Sequence, residues 1–290
     1  MLLVLDIGNT NIVGGVYRGS KLVHSWRFAS DRLKTSDEFV ILLNDFFKQA
    51  KLKPKQIKAS ILASVVPPLV PVLSHALRAL TGAAPLVVGP SLKLGLAIRT
   101  RVPEEVGADR LVNAVAGFAA YGGPLLIIDF GTATTVDAVD RSGAYLGGAI
   151  APGIGISMEA LVARTAKLPR IEMGVPKNPI GDNTLESMRS GQYYATVGAI
   201  KELCAVLGRE LQRRDGRKPQ VLATGGLSYW LPTAELGIKA VLPNLTLEGL
   251  RLIYERNRPK RPASRPAAKP RKRSAGKAAK GRVAKKGKRS

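Results

Sequence analysis

The 290-residue sequence has one cysteine, few aromatic side chains (5%) and no long uninterrupted apolar run. A single cysteine, Cys204, excludes a disulfide framework and is typical of a protein that folds in a reducing compartment. The longest largely apolar stretch, residues 61–73, contains three prolines, so it cannot form a helix that spans a membrane. The apolar opening segment ends at Asp6 and is too short for a signal peptide. These absences predict a cytoplasmic protein that does not associate with membranes.

Acidic residues are missing from the last part of the chain. Residues 258–290 contain 15 Lys or Arg and no Asp or Glu. Residues 1–257 carry 30 basic and 21 acidic residues, so they contribute only +9 to the net charge of +24 of the whole chain. The segment otherwise consists almost entirely of Pro, Ala, Gly and Ser, which cannot bury enough surface to offset the entropy of ordering. We therefore expect a disordered basic tail at 258–290. It either increases solubility or binds polyanions without reading sequence.

Two segments share an unusual pattern, residues 4–11 and residues 127–135. In each, an apolar strand ends in an aspartate, which is followed by one residue, a glycine and a run of hydroxyl or amide side chains. The aspartates, Asp6 and Asp129, supply fixed carboxylates for Mg²⁺, while the glycine permits a tight turn whose N–H groups can face phosphate oxygens. One such segment also fits a plain β-hairpin. Two of them favour a nucleotide held between two related halves.

The predicted elements repeat once along the chain. The first half reads as βββαβαβ, with strands at 2–6, 12–17, 21–28, 57–66 and 85–88, a helix that begins at Ser36 or Asp37, and a helix at 70–80. The second half gives strands at 125–129, 134–140, 144–149 and 220–224, and helices at 155–165, 185–213 and 245–256. The order predicts an α/β protein with duplicated domains at 1–116 and 117–257 and a cleft between them.

A third candidate segment lies between the two loops, at residues 103–110, directly before a predicted helix at 111–120. Asp109 could accept a proton from a substrate hydroxyl. Arg110 could hold a carboxylate or stabilise the charge on a transferring phosphoryl group. Taken by itself, the pair is better explained as a helix cap with a surface ion pair.

Together, residues 6–10, 107–110 and 129–135 closely resemble the type III pantothenate kinase family, part of the acetate and sugar kinase/Hsp70/actin superfamily. The resemblance covers roughly residues 1–257 and continues in order through 64–68, 147–153, 183–184, 223–226 and 245–250. It implies ribonuclease H-like (actin-like ATPase) domains and a homodimer. It also implies ATP-dependent phosphorylation of pantothenate to 4′-phosphopantothenate, the first step of coenzyme A synthesis.

The resemblance also assigns roles to individual residues. Asp109 is implied as the catalytic base and Asp129 as the ligand of a monovalent cation, K⁺ or NH₄⁺, while Asp6 lies near Mg²⁺. The implied pantothenate contacts are Thr100, Gly107, Ala108, Asp109, Arg110 and Thr184, the last in a pocket completed by the partner subunit. The implied ATP contacts are Asp6, Ile7, Gly8, Asn9, Thr10, Asn11, Ile12, Val13 and Thr132, with residues 223–226 on the adenosine side.

Thr100 departs from the family pattern, because a tyrosine is common at this position, and this changes the local contact with the substrate. The stretch at 243–245 also departs, since an acidic residue is common there, and we expect little effect. Two other functions are compatible with the scaffold. One is a non-kinase regulator whose basic tail holds DNA. The other is a different enzyme of the superfamily, such as a sugar kinase, an acetate kinase or an exopolyphosphatase. Asp109 and the intact loops favour an enzyme over a regulator, and the segment at 107–110 favours pantothenate as the acceptor.

Overall fold

Two five-stranded sheets with the same strand order form the body of the protein. The computed structural model describes residues 1–226, 228 and 231–258. The strands of the first sheet are β1 (Leu2–Ile7), β2 (Asn11–Arg18), β3 (Lys21–Ala29), β4 (Ala59–Ser64) and β5 (Leu86–Val87), and its helices are α1 (Ser36–Gln49) and α2 (Leu69–Thr81). The spatial order is β3-β2-β1-β4-β5, in which β2 is antiparallel and β4 parallel to β1.

The second sheet repeats this arrangement. Its strands are β6 (Leu125–Phe130), β7 (Ala133–Val139), β8 (Tyr145–Pro152), β9 (Gln220–Thr224) and β10 (Ile238–Val241). Their order is β10-β9-β6-β7-β8, so β6 takes the place of β1. The remaining helices are α3 (Ala108–Tyr121), α4 (Ile154–Ala163), α5 (Thr184–Asp215) and α6 (Leu245–Asn257). The predicted duplicated α/β fold is confirmed.

Helices α3 and α6 pack together in a core that both sheets share. This core contains Val4 of β1 and Ile127 of β6 together with Val112 of α3 and Leu250 of α6, all fully buried. The two helices cross closely, because a Cβ atom at Gly249 would lie 2.1 Å from the carbonyl oxygen of Val112. The helix that carries Asp109 is therefore fixed between the two sheets.

Several details differ from the sequence-based expectations. Helix α1 is capped by Thr35 rather than by Ser36 or Asp37, because Thr35 forms a reciprocal capping box with Glu38. Strand β10 was not predicted, and α3 begins at Ala108, three residues before the expected start. The proposed domain boundary at 116/117 falls inside α3, and it stays a prediction.

Residues 1–258 form one compact unit, and the predicted disordered tail lies almost wholly outside the described residues, which end at 258. Within the described part of the chain, no helix combines the length and apolar character needed to cross a bilayer.

Candidate active site

The two predicted phosphate loops have similar turns. In the first loop, the Gly8 amide donates a hydrogen bond to the Asn11 carbonyl at 3.0 Å, which closes the turn between β1 and β2. In the second loop, the Gly131 amide donates to the Ala133 carbonyl at 3.1 Å between β6 and β7. Both turns follow a strand that ends in the Asp-x-Gly pattern, so the common sequence pattern corresponds to a common local structure.

The two loops meet at their hydroxyl side chains. The Oγ1 atoms of Thr10 and Thr132 lie 2.8 Å apart and are hydrogen-bonded. Asn9 of the first loop accepts a hydrogen bond from Arg32 through Oδ1 at 3.2 Å. The structure therefore brings two separately predicted ATP contacts together and adds a cation, Arg32, that the sequence reasoning did not select.

Not every predicted ATP contact can use its side chain. Ile7 and Ile12 are fully buried in the core beneath the first loop, where they pack with Phe39 of α1. Val13 packs against the core between the sheets. These apolar residues shape the loop, and only their backbone atoms can contribute to a nucleotide site.

Three carboxylates influence one another beneath the loops. Burial, and next the negative charges of Asp109 and Asp129, raise the pKa of Asp6 to about 8. Burial, and next the charge of Asp109, raise the pKa of Asp129 to about 6, although a hydrogen bond from Asn113 opposes this shift. The structure therefore brings together the aspartates of both loops and the proposed catalytic base.

Asp129 is held by a short relay of side chains. Asn113 of α3 donates through Nδ2 to Oδ2 of Asp129 at 3.0 Å, and it accepts a hydrogen bond from the Thr246 hydroxyl of α6 at 2.8 Å. Asn113 is 1% exposed. Helices α3 and α6 thereby fix the position of the carboxylate, and the sequence reasoning selected neither Asn113 nor Thr246.

Asp109 lies in the first turn of α3. Gly107 is the N-cap residue, and a Cβ atom there would lie 2.6 Å from Oδ1 of Asp109, so a side chain at 107 would displace the carboxylate from this orientation. The Arg110 amide donates to the same oxygen at 2.8 Å. Burial raises the pKa of Asp109, which the hydrogen bond from Arg110 partly offsets. A carboxylate with a raised pKa at a helix start is suited to accept a proton.

Arg110 forms a buried ion pair rather than the surface pair that the residues alone suggested. Its Nε donates to Oδ1 of Asp137 at 2.7 Å, and its Nη2 lies 2.6 Å from the same oxygen. The side chains of Arg110 and Asp137 are 15% and 1% exposed. Asp137 belongs to β7 and was not among the predicted site residues. The signal in the sequence that could have identified Asp137 is an aspartate among the apolar residues of a buried strand.

Two of the predicted pantothenate contacts present buried donor groups that the described residues leave open. Thr100 Oγ1 has no hydrogen-bond partner among the described residues, and Arg110 Nη2 has two N–H groups, of which only one can face Oδ1 of Asp137. Such atoms are normally satisfied in a folded protein, so a bound ligand is expected to contact them. Thr184, by contrast, is exposed in the first turn of α5, and its predicted role depends on a partner subunit.

The loop at 223–226 passes close to the second carboxylate. Gly225 has a φ of 92°, and a Cβ atom there would lie 2.6 Å from Oδ1 of Asp129. A Cβ atom at Gly226 would lie 2.9 Å from Nη1 of Arg27, which belongs to β3 of the first sheet. Glycine is required at 225 both for its backbone conformation and for space.

No group of three or more His, Cys, Asp or Glu side chains within the described residues is close enough to form a metal site from protein ligands alone. A cation in this site would need further ligands, such as phosphate oxygens, which is the usual arrangement for Mg²⁺ in kinases.

Duplicated sheets, two glycine-turned loops that touch each other and a third carboxylate at a helix start fit the duplicated α/β kinase that the sequence predicts. The family model described as type III pantothenate kinase matches residues 2–206. The chain belongs to the type III pantothenate kinase family.

Similar proteins agree with this assignment. A type III pantothenate kinase of Geobacter sulfurreducens is 51% identical over 258 residues, which cover 89% of this chain and 100% of the relative. A type III pantothenate kinase of Moorella thermoacetica is 49% identical over 257 residues, covering 89% of this chain and 100% of the relative. The family resemblance predicted from the motifs is therefore confirmed, and the chain is a kinase.

A solved structure supports the fold alone. A protein from Campylobacter jejuni, described as a Baf family transcriptional activator, superimposes with a TM-score of 0.54 at 16% sequence identity. The match covers 88% of this chain and 98% of that protein. At this identity the similarity concerns the arrangement of the two sheets and not the activity.

Proposed function

We propose that the protein transfers the γ-phosphoryl group of ATP to pantothenate and forms 4′-phosphopantothenate, the first step of coenzyme A synthesis, in the cytoplasm. The observation that carries this proposal is the position of Asp109. Its negative charge raises the pKa values of both loop aspartates, Asp6 and Asp129, so the carboxylate lies close to both loops. Such a position suits a base that acts where a triphosphate and an acceptor meet.

The nucleotide end of the site is built from the two loops. Backbone N–H groups of residues 6–13 and the hydroxyls of Thr10 and Thr132 face the triphosphate in this proposal. The glycines of the loop at 223–226 leave space for the adenosine part. Arg32, bonded to Asn9, adds positive charge beside the first loop.

The acceptor end is formed by residues 107–110 together with Thr100. Arg110 binds the carboxylate of pantothenate, since a guanidinium is the side chain that best matches a carboxylate. Thr100 Oγ1 and the second N–H group of Arg110 Nη2 are the buried groups that the acceptor satisfies. Thr184 contributes from the partner subunit.

The reaction follows from this arrangement. Asp109 accepts the proton of the pantothenate hydroxyl, whose oxygen forms a bond to the γ-phosphorus. The bond between the γ-phosphorus and the oxygen that bridges it to the β-phosphate breaks, and ADP leaves with the electron pair. Arg110 and the segment at 107–110 orient the acceptor, which accounts for a large part of the catalysis in phosphoryl transfer.

The buried carboxylates fit two cations. Asp6 and Asp129 are buried acids with raised pKa values, an arrangement in which a bound cation offsets the cost of keeping them ionised. We assign Asp6 to Mg²⁺ and Asp129, fixed by Asn113, to K⁺ or NH₄⁺. When bound, these cations neutralise negative charge on the phosphates.

We further propose a homodimer. Of the fourteen large apolar side chains that are exposed in the described residues, nine lie between residues 150 and 206, among them Ile180, Leu185 and Tyr194. Helix α5 runs for 32 residues but has only four buried ones. An apolar surface that begins beside Thr184 is suited to cover the same surface of a second copy.

The dimer can be tested by the variant Leu185→Glu, with Leu33→Glu as the control. Both leucines are exposed, at 46% and 92%, but Leu33 lies outside the apolar region. Leu185→Glu should give a monomer in light scattering and a higher KM for pantothenate. A dimer of unchanged stability in this variant would contradict the proposed interface.

The basic tail supports a second, separate candidate activity. Fifteen basic and no acidic residues at 258–290 suit weak binding to polyanions that falls steeply with salt concentration. Removing residues 258–290 should abolish such binding, measured with a labelled DNA duplex, and leave phosphorylation unchanged. A large loss of turnover on truncation would contradict a role outside catalysis.

The proposed activity is tested by an assay that couples ADP release to a signal, with pantothenate, glucose and polyphosphate offered in turn. We expect turnover with pantothenate alone, and higher turnover in K⁺ than in Na⁺. ADP release with glucose or polyphosphate but not with pantothenate would refute the proposal, and equal rates in K⁺ and Na⁺ would refute the role assigned to Asp129.

A further inference from the structure

Asp137 is a charged residue with no exposed surface, placed in the middle of β7. Its Oδ1 accepts hydrogen bonds from Nε of Arg110 at 2.7 Å and from the Tyr145 hydroxyl at 2.8 Å. Its Oδ2 accepts a hydrogen bond from the Thr135 hydroxyl at 3.0 Å. A buried carboxylate is costly unless its charge is paired and its oxygens are hydrogen-bonded. These four side chains satisfy that condition as one unit, in which Thr135 is also the last residue of the second loop segment, 127–135.

The unit fixes the orientation of the Arg110 guanidinium. Nε and Nη2 both face Asp137, and the guanidinium carbon lies 5.8 Å from the centre of the Tyr145 ring. Nη2 carries two N–H groups, of which only one can face Oδ1 of Asp137, so the other remains for a ligand. An arginine held in this way does not lose further side-chain freedom when it binds a carboxylate.

Tyr145 also connects the unit to the second acceptor segment. The Tyr145 amide donates to the Ala97 carbonyl and the Arg99 amide donates to the Tyr145 carbonyl, each at 2.8 Å. These bonds hold residues 97–99 beside β8 and place Thr100 at the end of the paired segment. Tyr145 therefore contacts Asp137 through its side chain and positions Thr100 through its backbone.

The strand also separates Arg110 from the phosphate loop. With a rise of about 3.3 Å per residue, Asp137 lies about 13 Å along β7 from Ala133, where the second loop ends. Arg110 is thus held away from the loop tip, which favours contact with the acceptor over contact with the triphosphate.

We propose that Asp137 is a positioning residue for the acceptor substrate, which holds Arg110, with support from Tyr145 and Thr135, in the orientation that binds the carboxylate of pantothenate. The inference rests on the proposed function. Asp137 orients the acceptor through Arg110 and does not itself contact the reacting atoms, while its charge also raises the pKa values of Asp109 and Asp129.

The variant Asp137→Asn tests this inference, because it keeps the size of the side chain and removes its charge. We expect the KM for pantothenate to rise on the order of tenfold to a hundredfold, the effect of weakening a charged hydrogen bond, while kcat changes much less. The KM for ATP should stay at the wild-type value. Glu255→Gln is the matched control, since Glu255 is paired with the buried Arg251 at 2.7 Å on α6. It should leave both KM values unchanged.

Tyr145→Phe keeps the inference testable if Asp137→Asn does not fold. It removes one hydrogen bond to Asp137 and no charge, so it should raise the KM for pantothenate by a smaller factor without a change in the KM for ATP.

A double-mutant cycle provides the second readout. In an Arg110→Gln background, Asp137→Asn should cause no further rise in the KM for pantothenate, because its effect passes through Arg110.

Three results would overturn the inference: an unchanged KM for pantothenate in both single variants, equal rises in the KM values of both substrates, or an undiminished effect in the Arg110→Gln background. A wild-type protein that does not phosphorylate pantothenate would instead refute the proposed function. An active wild-type protein, with an unchanged KM for pantothenate in both single variants, would refute the positioning role alone.

Discussion

The hydroxyls of Thr10 and Thr132 are hydrogen-bonded at 2.8 Å, although the residues are 122 positions apart in the sequence. Each lies in the turn after a strand that ends in Asp-x-Gly, and the two strands belong to different five-stranded sheets. The contact brings the two halves of the duplicated fold together at the point where a triphosphate has to be held from both sides.

This contact predicts that Thr132→Val weakens ATP binding. The substitution keeps the branched shape and removes the hydroxyl, so the KM for ATP should rise about fivefold to tenfold, the effect of one neutral hydrogen bond. Thr132→Ser keeps the hydroxyl and serves as the control. Steady-state kinetics with varied ATP would measure both. An unchanged KM for ATP in Thr132→Val would remove the second loop from the nucleotide site.

Asp109→Asn should abolish most of the turnover and leave the fold intact. The amide cannot accept the proton of the pantothenate hydroxyl, so kcat should fall by a factor of about 10² to 10⁴, the usual contribution of a general base. ATP binding, measured by calorimetry, should persist, because the loops are unchanged. Turnover close to the wild-type rate would refute the assignment of the base.

Asp6→Asn should stabilise the ligand-free protein while it impairs catalysis. The pKa of Asp6 is raised to about 8 in the folded state, so its carboxyl group loses its proton at a lower pH in the unfolded state than in the folded one. Between about pH 4 and pH 8 the folded state therefore holds an additional proton, and stability falls as the pH rises.

The gap in Tm between Asp6→Asn and the wild type should consequently widen from pH 5 to pH 8 in the absence of nucleotide and divalent cation. Thermal melts at the two pH values measure it. A variant that is less stable than the wild type at pH 8 would show that the Asp6 carboxylate stabilises the ligand-free fold, contrary to this expectation.

Gly249→Ala should destabilise the protein, because the added Cβ atom would lie 2.1 Å from the Val112 carbonyl at the crossing of α3 and α6. Separating the two helices should cost about 1–3 kcal/mol or more. It should also lower kcat, since α3 carries Asp109. Gly208→Ala is the control, because its nearest neighbours would lie at an ordinary 3.8 Å. Urea unfolding compares the two variants, and equal stabilities would contradict the close crossing.

Much of the fold could be predicted because its signals are local. Apolar runs bounded by glycine turns identify β1, β2, β6 and β7, and the repeated Asp-x-Gly pattern identifies the two loops. Strand β10 carries weaker signals. It has four residues, alternates between partly buried and exposed positions, and pairs with β9 through an irregular register.

The supporting residues of the site could not be predicted, because their partners are distant in the sequence. Asn113 bonds to Thr246, 133 residues away, and reads in the sequence as an ordinary residue of α3. Asp137 and Arg110 are 27 residues apart in different elements, and no spacing rule joins them. Such pairs are fixed only when the helices pack on the sheet.

The most direct test of the central claim is a crystal structure of the protein with a non-hydrolysable ATP analogue and pantothenate. We predict that the triphosphate lies between the loops of Thr10 and Thr132, and that the acceptor hydroxyl lies within hydrogen-bond distance of the Asp109 carboxylate. A triphosphate bound elsewhere, or a hydroxyl that faces away from Asp109, would contradict the claim.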